Sequence, residues 1–320
     1  MEEFAVAALG LIILVLAGDA LVRGAVNVSL RLGVPALIVS LTIVALGTSA
    51  PEMLVGVKAA YEGVPGIALG NVVGSNTANV LLVLGVPAML AGLATSQVNP
   101  QTAYLQMIIA SLLFSAFAAT GQITGWMGLV LTAAFIGFML HAVADARRRW
   151  KSSYGQPVLA ESGEEVEGAD PGMRWRMIIL FLVLGMAGLP LGAELLVRSA
   201  SEIARDYDIS ETIIGLTLVA LGTSLPELAT TIAAAFRKQA DVAIGNVIGS
   251  NLANVLLIIG VSSLVAPIPV PAYVLWHDIS VMMVTSLLLA PFIFLSLNIT
   301  RAWGVVFTFG YVAYVVTLFL

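Results

Sequence analysis

Long runs of residues that are apolar on every face, separated by short polar, glycine or proline punctuation, dominate this chain. Such runs predict helices that cross a lipid bilayer, each needing about 20 residues. Spans are expected near 4–22, 36–61, 67–91, 102–119 and 125–145, then near 175–197, 211–236, 242–265, 278–298 and 302–320. Between the fifth and sixth lies the one sustained hydrophilic segment, from about Arg147 to Gly172. The expected organisation is therefore five helices over 1–146, a linker over 147–172, and five helices over 173–320.

The two halves are copies. Leu41-Thr42-Ile43-Val44-Ala45-Leu46-Gly47-Thr48-Ser49-Ala50-Pro51-Glu52 matches the stretch from Leu216 to Glu227 at an offset of 175, with 26 identities in the 46 pairs from 41–86 and 216–261. The match continues without a gap through Gly70-Asn71-Val72-Val73-Gly74-Ser75-Asn76 and Gly245-Asn246-Val247-Ile248-Gly249-Ser250-Asn251. Because each half holds an odd number of spans, the second enters the membrane from the opposite side. The expected fold is an all-α membrane protein of ten transmembrane helices in two inverted five-helix repeats.

Composition agrees with the pattern. Hydrophobic residues make up 59% of the chain and charged residues 10%, with a mean hydropathy of +1.01; soluble domains carry about 25% charged residues. No cysteine is present, which excludes disulfides, zinc ribbons and thiol catalysis. There is no basic stripe for nucleic acid, and the net charge of -5 comes largely from the linker. The acidic start, Met1-Glu2-Glu3-Phe4, leaves the first apolar run as a span rather than a signal peptide. With both termini outside, eleven lysines and arginines fall inside and only Lys58, Arg198 and Arg205 fall outside. The positive-inside rule thus expects outer termini and a cytoplasmic 147–172 loop in a multi-pass protein of the cell membrane. The linker reads as a solvated connector.

An ionised glutamate inside a span costs roughly 3 kcal/mol or more and marks function by default. Glu52 and Glu227 each follow a proline, Pro51 and Pro226, which removes a backbone donor and should break the helix near Ala50 and Leu225. The carbonyls of Ala45 to Thr48 and of Ala220 to Thr223 then become candidate ligands, with Gly47 and Gly222 easing the distortion. Thr48, Ser49, Thr223 and Ser224 add hydroxyls. Asn71, Ser75 and Asn79, and their copies Asn246, Ser250 and Asn254, line one stripe of the next helix. Gly70, Gly74, Gly245 and Gly249 leave room for a close helix. Every donor is an oxygen, which suits hard cations such as calcium, magnesium or sodium. Two carboxylates balance one divalent or two monovalent ions, the physical basis of antiport.

Gly47-Thr48-Ser49-Ala50-Pro51-Glu52 with Gly70 to Asn76, and the copies at Gly222 to Glu227 and Gly245 to Asn251, resemble the two alpha-repeats of the sodium/calcium exchanger family, in the calcium/cation antiporter superfamily. The resemblance covers essentially the whole chain. It implies a secondary antiporter that exchanges calcium for sodium by alternating access, is not an enzyme and needs no cofactor beyond its transported ions. It further implies that Glu52 and Glu227 are the main calcium ligands, helped by main-chain oxygens of Thr48 and Thr223. Sodium sites would add Ala45, Ser49 and Ser75 from one repeat and Ala220, Ser224 and Ser250 from the other, with Asn79 and Asn254 flanking the centre. Some relatives, notably potassium-dependent exchangers, carry aspartate where this chain has Asn254, which argues against potassium co-transport. Thr48-Ser49 and Thr223-Ser224, in place of the GNxPE of proton-coupled relatives, favour sodium as counter-ion.

Other readings remain in view. A calcium/proton exchanger would share the fold, a cation channel would also use oxygen rings, and an intramembrane enzyme could use two carboxylates. No GxxxxGK[ST] phosphate loop is present, and nothing points to a protein partner besides the lipid bilayer. Asp19–Arg23 and the matching Glu194–Arg198 read as i, i+4 salt bridges at helix edges, and Trp126, Trp150, Trp175, Trp276 and Trp303 as interfacial anchors.

Overall fold

The computed structural model describes residues 2–152, 170, 172–207 and 220–318. Most of the linker, and the stretch 208–219 that opens the second copy of the motif, lie outside the described residues. The helices are α1 (Glu2–Leu32), α2 (Ala36–Thr48), α3 (Ala50–Tyr61), α4 (Gly66–Ala91), α5 (Gln101–Ala118) and α6 (Gly125–Ser152) in the first half. In the second are α7 (Trp175–Asp206), α8 (Ala220–Gly222), α9 (Leu225–Phe236), α10 (Ala240–Val265), α11 (Val274–Phe294) and α12 (Arg301–Thr317). Seven are long and apolar enough to cross a membrane, and α2 with α3, bent by 47°, makes an eighth. The protein is a multi-pass, all-α membrane protein.

Burial separates centre from periphery. The spans α10 and α4 are 94% and 72% buried within the protein, whereas α1, α5, α6, α7 and α11 fall between 28% and 39%. The duplicated stretches therefore form the middle of the bundle, and the other helices turn apolar faces outward, as lipid permits. Four of the five tryptophans, Trp126, Trp175, Trp276 and Trp303, are exposed.

The two halves are related by a pseudo-twofold, seen in reciprocal contacts. Gly185 of α7 lies against Leu21 of α1, and Gly10 lies against Leu196, each partner displaced by 175. This antiparallel pair is longer than its apolar runs suggest. No proline interrupts 23–32 or 198–206, so each helix continues past the run; α1 ends where Gly33 takes a left-handed φ of 62°, two residues before Pro35. Likewise Ile123 of β1 (Gln122–Ile123) pairs antiparallel with Ile268 of β2 (Ile268–Pro269), while Leu93, the copy of Ile268, bridges Ile299. α6 also runs on to Ser152, into the segment expected to be linker.

Symmetry is broken at one charged edge. Asp19 binds Arg23 as expected (3.0 Å) and also Arg237, which reaches it from the end of α9. Glu194 and Arg198, expected to pair likewise, make no ion pair with each other among the described residues. The copy of Arg237 is Glu62, an acid that turns to Lys58 instead (3.7 Å), so α7 has no cation opposite it at that position.

α3 and α9 end in the same motif. Val64 N–H donates to Ala59 O (2.9 Å) and Gly63 N–H to Ala60 O (3.3 Å); Gln239 N–H donates to Ala234 O (2.8 Å) and Lys238 N–H to Ala235 O (3.1 Å). The pivot is left-handed in both, at Gly63 (φ 79°) and at Lys238 (φ 54°). Only glycine adopts that conformation without a Cβ penalty, about 1–2 kcal/mol for other residues. A Cβ at Gly63 would meet nothing within 4 Å, so backbone strain alone is at stake. Gly63→Ala should lower, and Lys238→Gly should raise, the melting temperature of the detergent-solubilised protein; shifts of the same sign would contradict the shared motif.

Candidate functional site

The site is built where the two broken helices meet α4 and α10. Between α2 and α3 the chain breaks at Ser49 (φ -83°, ψ 7°), and between α8 and α9 at Ser224 (φ -88°, ψ 2°). The break thus falls one residue before the expected Ala50 and Leu225. Pro51 and Pro226 sit in the first turn of the following helix, where a missing N–H costs nothing. That turn also holds Glu52 and Glu227, so each carboxylate lies at the positive end of a helix dipole.

The glycines act differently from expectation. Gly47 and Gly222 are helical; a Cβ there would strike Met186 (2.9 Å) and Val197 (2.5 Å), so they admit α7 rather than ease a distortion. Gly245 and Gly249 do admit a close helix: a Cβ would meet Leu37 O at 2.7 Å and Leu41 O at 2.5 Å on α2. For Gly70 and Gly74 the equivalent partner stretch, 212–219, lies outside the described residues.

Glu52 and Glu227 are each 1% exposed, and neither meets a Lys, Arg or His side chain among the described residues. Ser49 Oγ donates across the pseudo-twofold to Glu227 Oε1 (3.0 Å), and Ser250 Oγ donates to the same oxygen (3.4 Å). A serine at a helix N-cap ordinarily bonds its own helix; Ser49 bonds the opposite repeat instead. Thr48 Oγ1 reaches Asn246 Oδ1 (3.2 Å), and its copy Thr223 Oγ1 reaches Asn71 Oδ1 (3.4 Å). Asn246 in turn donates to Glu227 O (3.5 Å) and Thr231 Oγ1 (3.4 Å). Ala45 O, expected to be released by the break, accepts from Ser49 N–H (3.0 Å) and Thr48 Oγ1 (3.2 Å). Gly47 O lies four residues before Pro51, which has no N–H to offer it.

Asn79 begins a wide, π-helical turn over 79–83 in α4, and Asn254 is the second residue of another over 253–258 in α10. Such turns shift the helical register and recur at functional sites. Asn79 Nδ2 donates to Asn251 Oδ1 (3.0 Å) and Asn254 Nδ2 to Asn76 Oδ1 (2.9 Å), so the two copies exchange the same bond. Asn76 and Asn251 escape a reading of spacing alone, although their i, i+3 relation to Asn79 and Asn254 places them on a shared face. Among the described residues, four carboxylate and amide oxygens of the site are buried without a hydrogen bond: Glu52 Oε2, Glu227 Oε2, Asn79 Oδ1 and Asn254 Oδ1. They form two symmetry-related pairs. Ser75 is buried on the same helix; Ala220 opens α8, and its side chain lies outside the described set.

A family model described as "Sodium/calcium exchanger protein" matches residues 3–144 and 177–320. The chain belongs to the sodium/calcium exchanger family. Two relatives are the sodium/calcium exchanger MaX1 of Methanosarcina acetivorans, 34% identical over 99% of this chain and 98% of that protein, and the putative antiporter CaxA of Alkalimonas amylolytica, 34% identical over 97% and 96%. The solved structure of the sodium-calcium exchanger NCX_Mj, soaked with zero Na+ and Ca2+, superposes with a TM-score of 0.81 at 32% identity, covering 99% of this chain and 98% of that one. As a member of the exchanger family, the protein is a membrane ion antiporter and not an enzyme, and its transported ions are its substrates.

The exchanger's two carboxylates differ in the hydroxyls they hold. Glu227 holds the Ser49 hydroxyl, whereas Ser224, the copy of Ser49, is 2% exposed and its Oγ has no hydrogen-bond partner among the described residues. A hydrogen bond to a charged group is worth about 1.5–3 kcal/mol. In ion-free protein Ser49→Ala should therefore lower the melting temperature clearly more than Ser224→Ala; equal shifts would show that the two carboxylates are held alike.

Proposed function

We propose that this chain exchanges Ca2+ for Na+ across the cell membrane by alternating access, with the ions held at one site between the two repeats. The observation that supports this best is the pair of buried carboxylates without a cationic partner, surrounded by neutral oxygens in symmetric copies. A buried unpaired charge costs several kcal/mol, and hard cations offset it through oxygen ligands alone.

In this reading Glu52 and Glu227 ligate Ca2+ together with the main-chain oxygens of Thr48 and Thr223. Na+ uses the same carboxylates with Ser49, Ser75 and the carbonyl of Ala45 on one side, and Ser224, Ser250 and the carbonyl of Ala220 on the other; Asn79 and Asn254 flank the centre. Sodium at Ala45 requires the Thr48 hydroxyl to turn away from that carbonyl. The repeats extend over 1–146 and 173–320, both termini face outward, and the 147–172 loop faces the cytoplasm. No protein partner is required.

Calcium flux into proteoliposomes under separate sodium, potassium and proton gradients tests the coupling. Uptake should follow the sodium gradient; uptake driven by the proton gradient and indifferent to sodium would make the protein a Ca2+/H+ exchanger, and uptake with no counter-ion would make it a channel. Glu52→Gln and Glu227→Gln keep shape and remove charge. Each should cut sodium-dependent flux by at least about a hundredfold in protein that still inserts, and near-unchanged flux in either would sink the assignment.

A further inference from the structure

Two methionines outside the duplicated stretches take part in the same polar network. Met107 lies on α5 and Met282 on α11, both fully buried, and they are themselves 175 residues apart. Asn251 Nδ2 donates to Met107 Sδ (3.7 Å), and Asn76 Nδ2 donates to Met282 Sδ (3.7 Å). Joined to the asparagine exchange described above, these contacts make two parallel chains of hydrogen bonds. One runs from Asn79 to Asn251 to Met107; the other runs from Asn254 to Asn76 to Met282.

A thioether has lone pairs and no proton to give, so it can only accept. An asparagine beside it must present its NH2 to the sulfur and its carbonyl to the next residue. That next residue, Asn79 or Asn254, must answer with its own NH2, which leaves its Oδ1 unpaired. Reversing either chain would set a carbonyl oxygen against sulfur and an amide donor at the centre, where it would repel a cation. The second donor hydrogen of Asn76, toward Asn251 O (3.4 Å), reinforces the same sense in one chain.

We propose that Met107 and Met282 are positioning residues that fix the direction of these two relays and so keep the carbonyl ends of Asn79 and Asn254 turned to the transported ion. The proposal rests on the exchanger reading above. It assigns the otherwise peripheral α5 and α11 a part in setting ion affinity.

Calorimetric titration of the purified protein with CaCl2 and with NaCl reads affinity without requiring turnover. Leucine conserves the volume of methionine and removes the acceptor, so Met107→Leu and Met282→Leu should each weaken binding between about twofold and tenfold. In an Asn79→Ala background Met107→Leu should add nothing while Met282→Leu keeps its effect; in Asn254→Ala the pattern should reverse. A purely packing role would not follow this chain-by-chain rule, and melting temperatures recorded alongside report folding. Met107→Ile and Met282→Ile provide a second pair should leucine pack badly. Unchanged affinity in the methionine variants, or equal effects in both backgrounds, overturns the relay while leaving the exchanger reading intact. Failure of the unsubstituted protein to bind either ion removes both.

Discussion

The constraint on which this structure turns is the burial of two like-charged side chains, Glu52 and Glu227, in a protein whose described residues offer them no lysine, arginine or histidine. Low dielectric magnifies every electrostatic term around them. The surroundings respond consistently. Both carboxylates sit in the first turn of a helix, hydroxyls of Ser49 and Ser250 donate to Glu227, and the amide donors of Asn79 and Asn254 are drawn away from the centre. What remains among the described residues is a surface dominated by acceptors, the unpaired Asn71 amide being the exception, and it favours a cation.

The pseudo-twofold makes this arrangement possible from one short sequence used twice. Thr48 with Asn246, Thr223 with Asn71, Asn79 with Asn251 and Asn254 with Asn76 are all contacts between repeats, so neither half completes its own polar chemistry. A break in α2–α3 would leave polar backbone exposed to lipid if it stood alone; buried against α10 it is tolerated. Gly245 and Gly249 set the distance of that contact through the backbone of Leu37 and Leu41.

Much of this is legible in the chain itself. The repeat, the ten apolar runs, the proline-linked glutamates and the amide stripe follow from spacing and from the cost of charge in lipid. What stays hidden depends on geometry that sequence does not carry. Met107 and Met282 are ordinary apolar residues in spans that share only scattered identities at the 175 offset, such as Ser111-Leu112-Leu113 with Ser286-Leu287-Leu288, and only the fold brings their sulfurs to asparagine. The role of Gly47 and Gly222 depends on α7, remote in sequence, and so escapes any local pattern. The π-helical turns at Asn79 and Asn254 leave no mark in composition, and the lengths of α1 and α7 depend on continued helix where the apolar run has already ended.

The departures from symmetry carry their own information. In an inverted-repeat transporter access alternates as one repeat rocks or gates against the other around a fixed site, and matched halves let the two trade conformations. On the exchange reading, that trade moves the Ser49–Glu227 contact to Ser224 and Glu52, which have the same chemistry, and so costs little at the site. At the edge the chemistry is not the same: Asp19 meets Arg237, whereas Glu194 would face Glu62. The conformation described gains an attraction where its exchanged counterpart would meet an acid–acid approach. On the same reading the two states would differ in energy at the rim of α1 and α7, while the centre would remain nearly symmetric for ions arriving from either side.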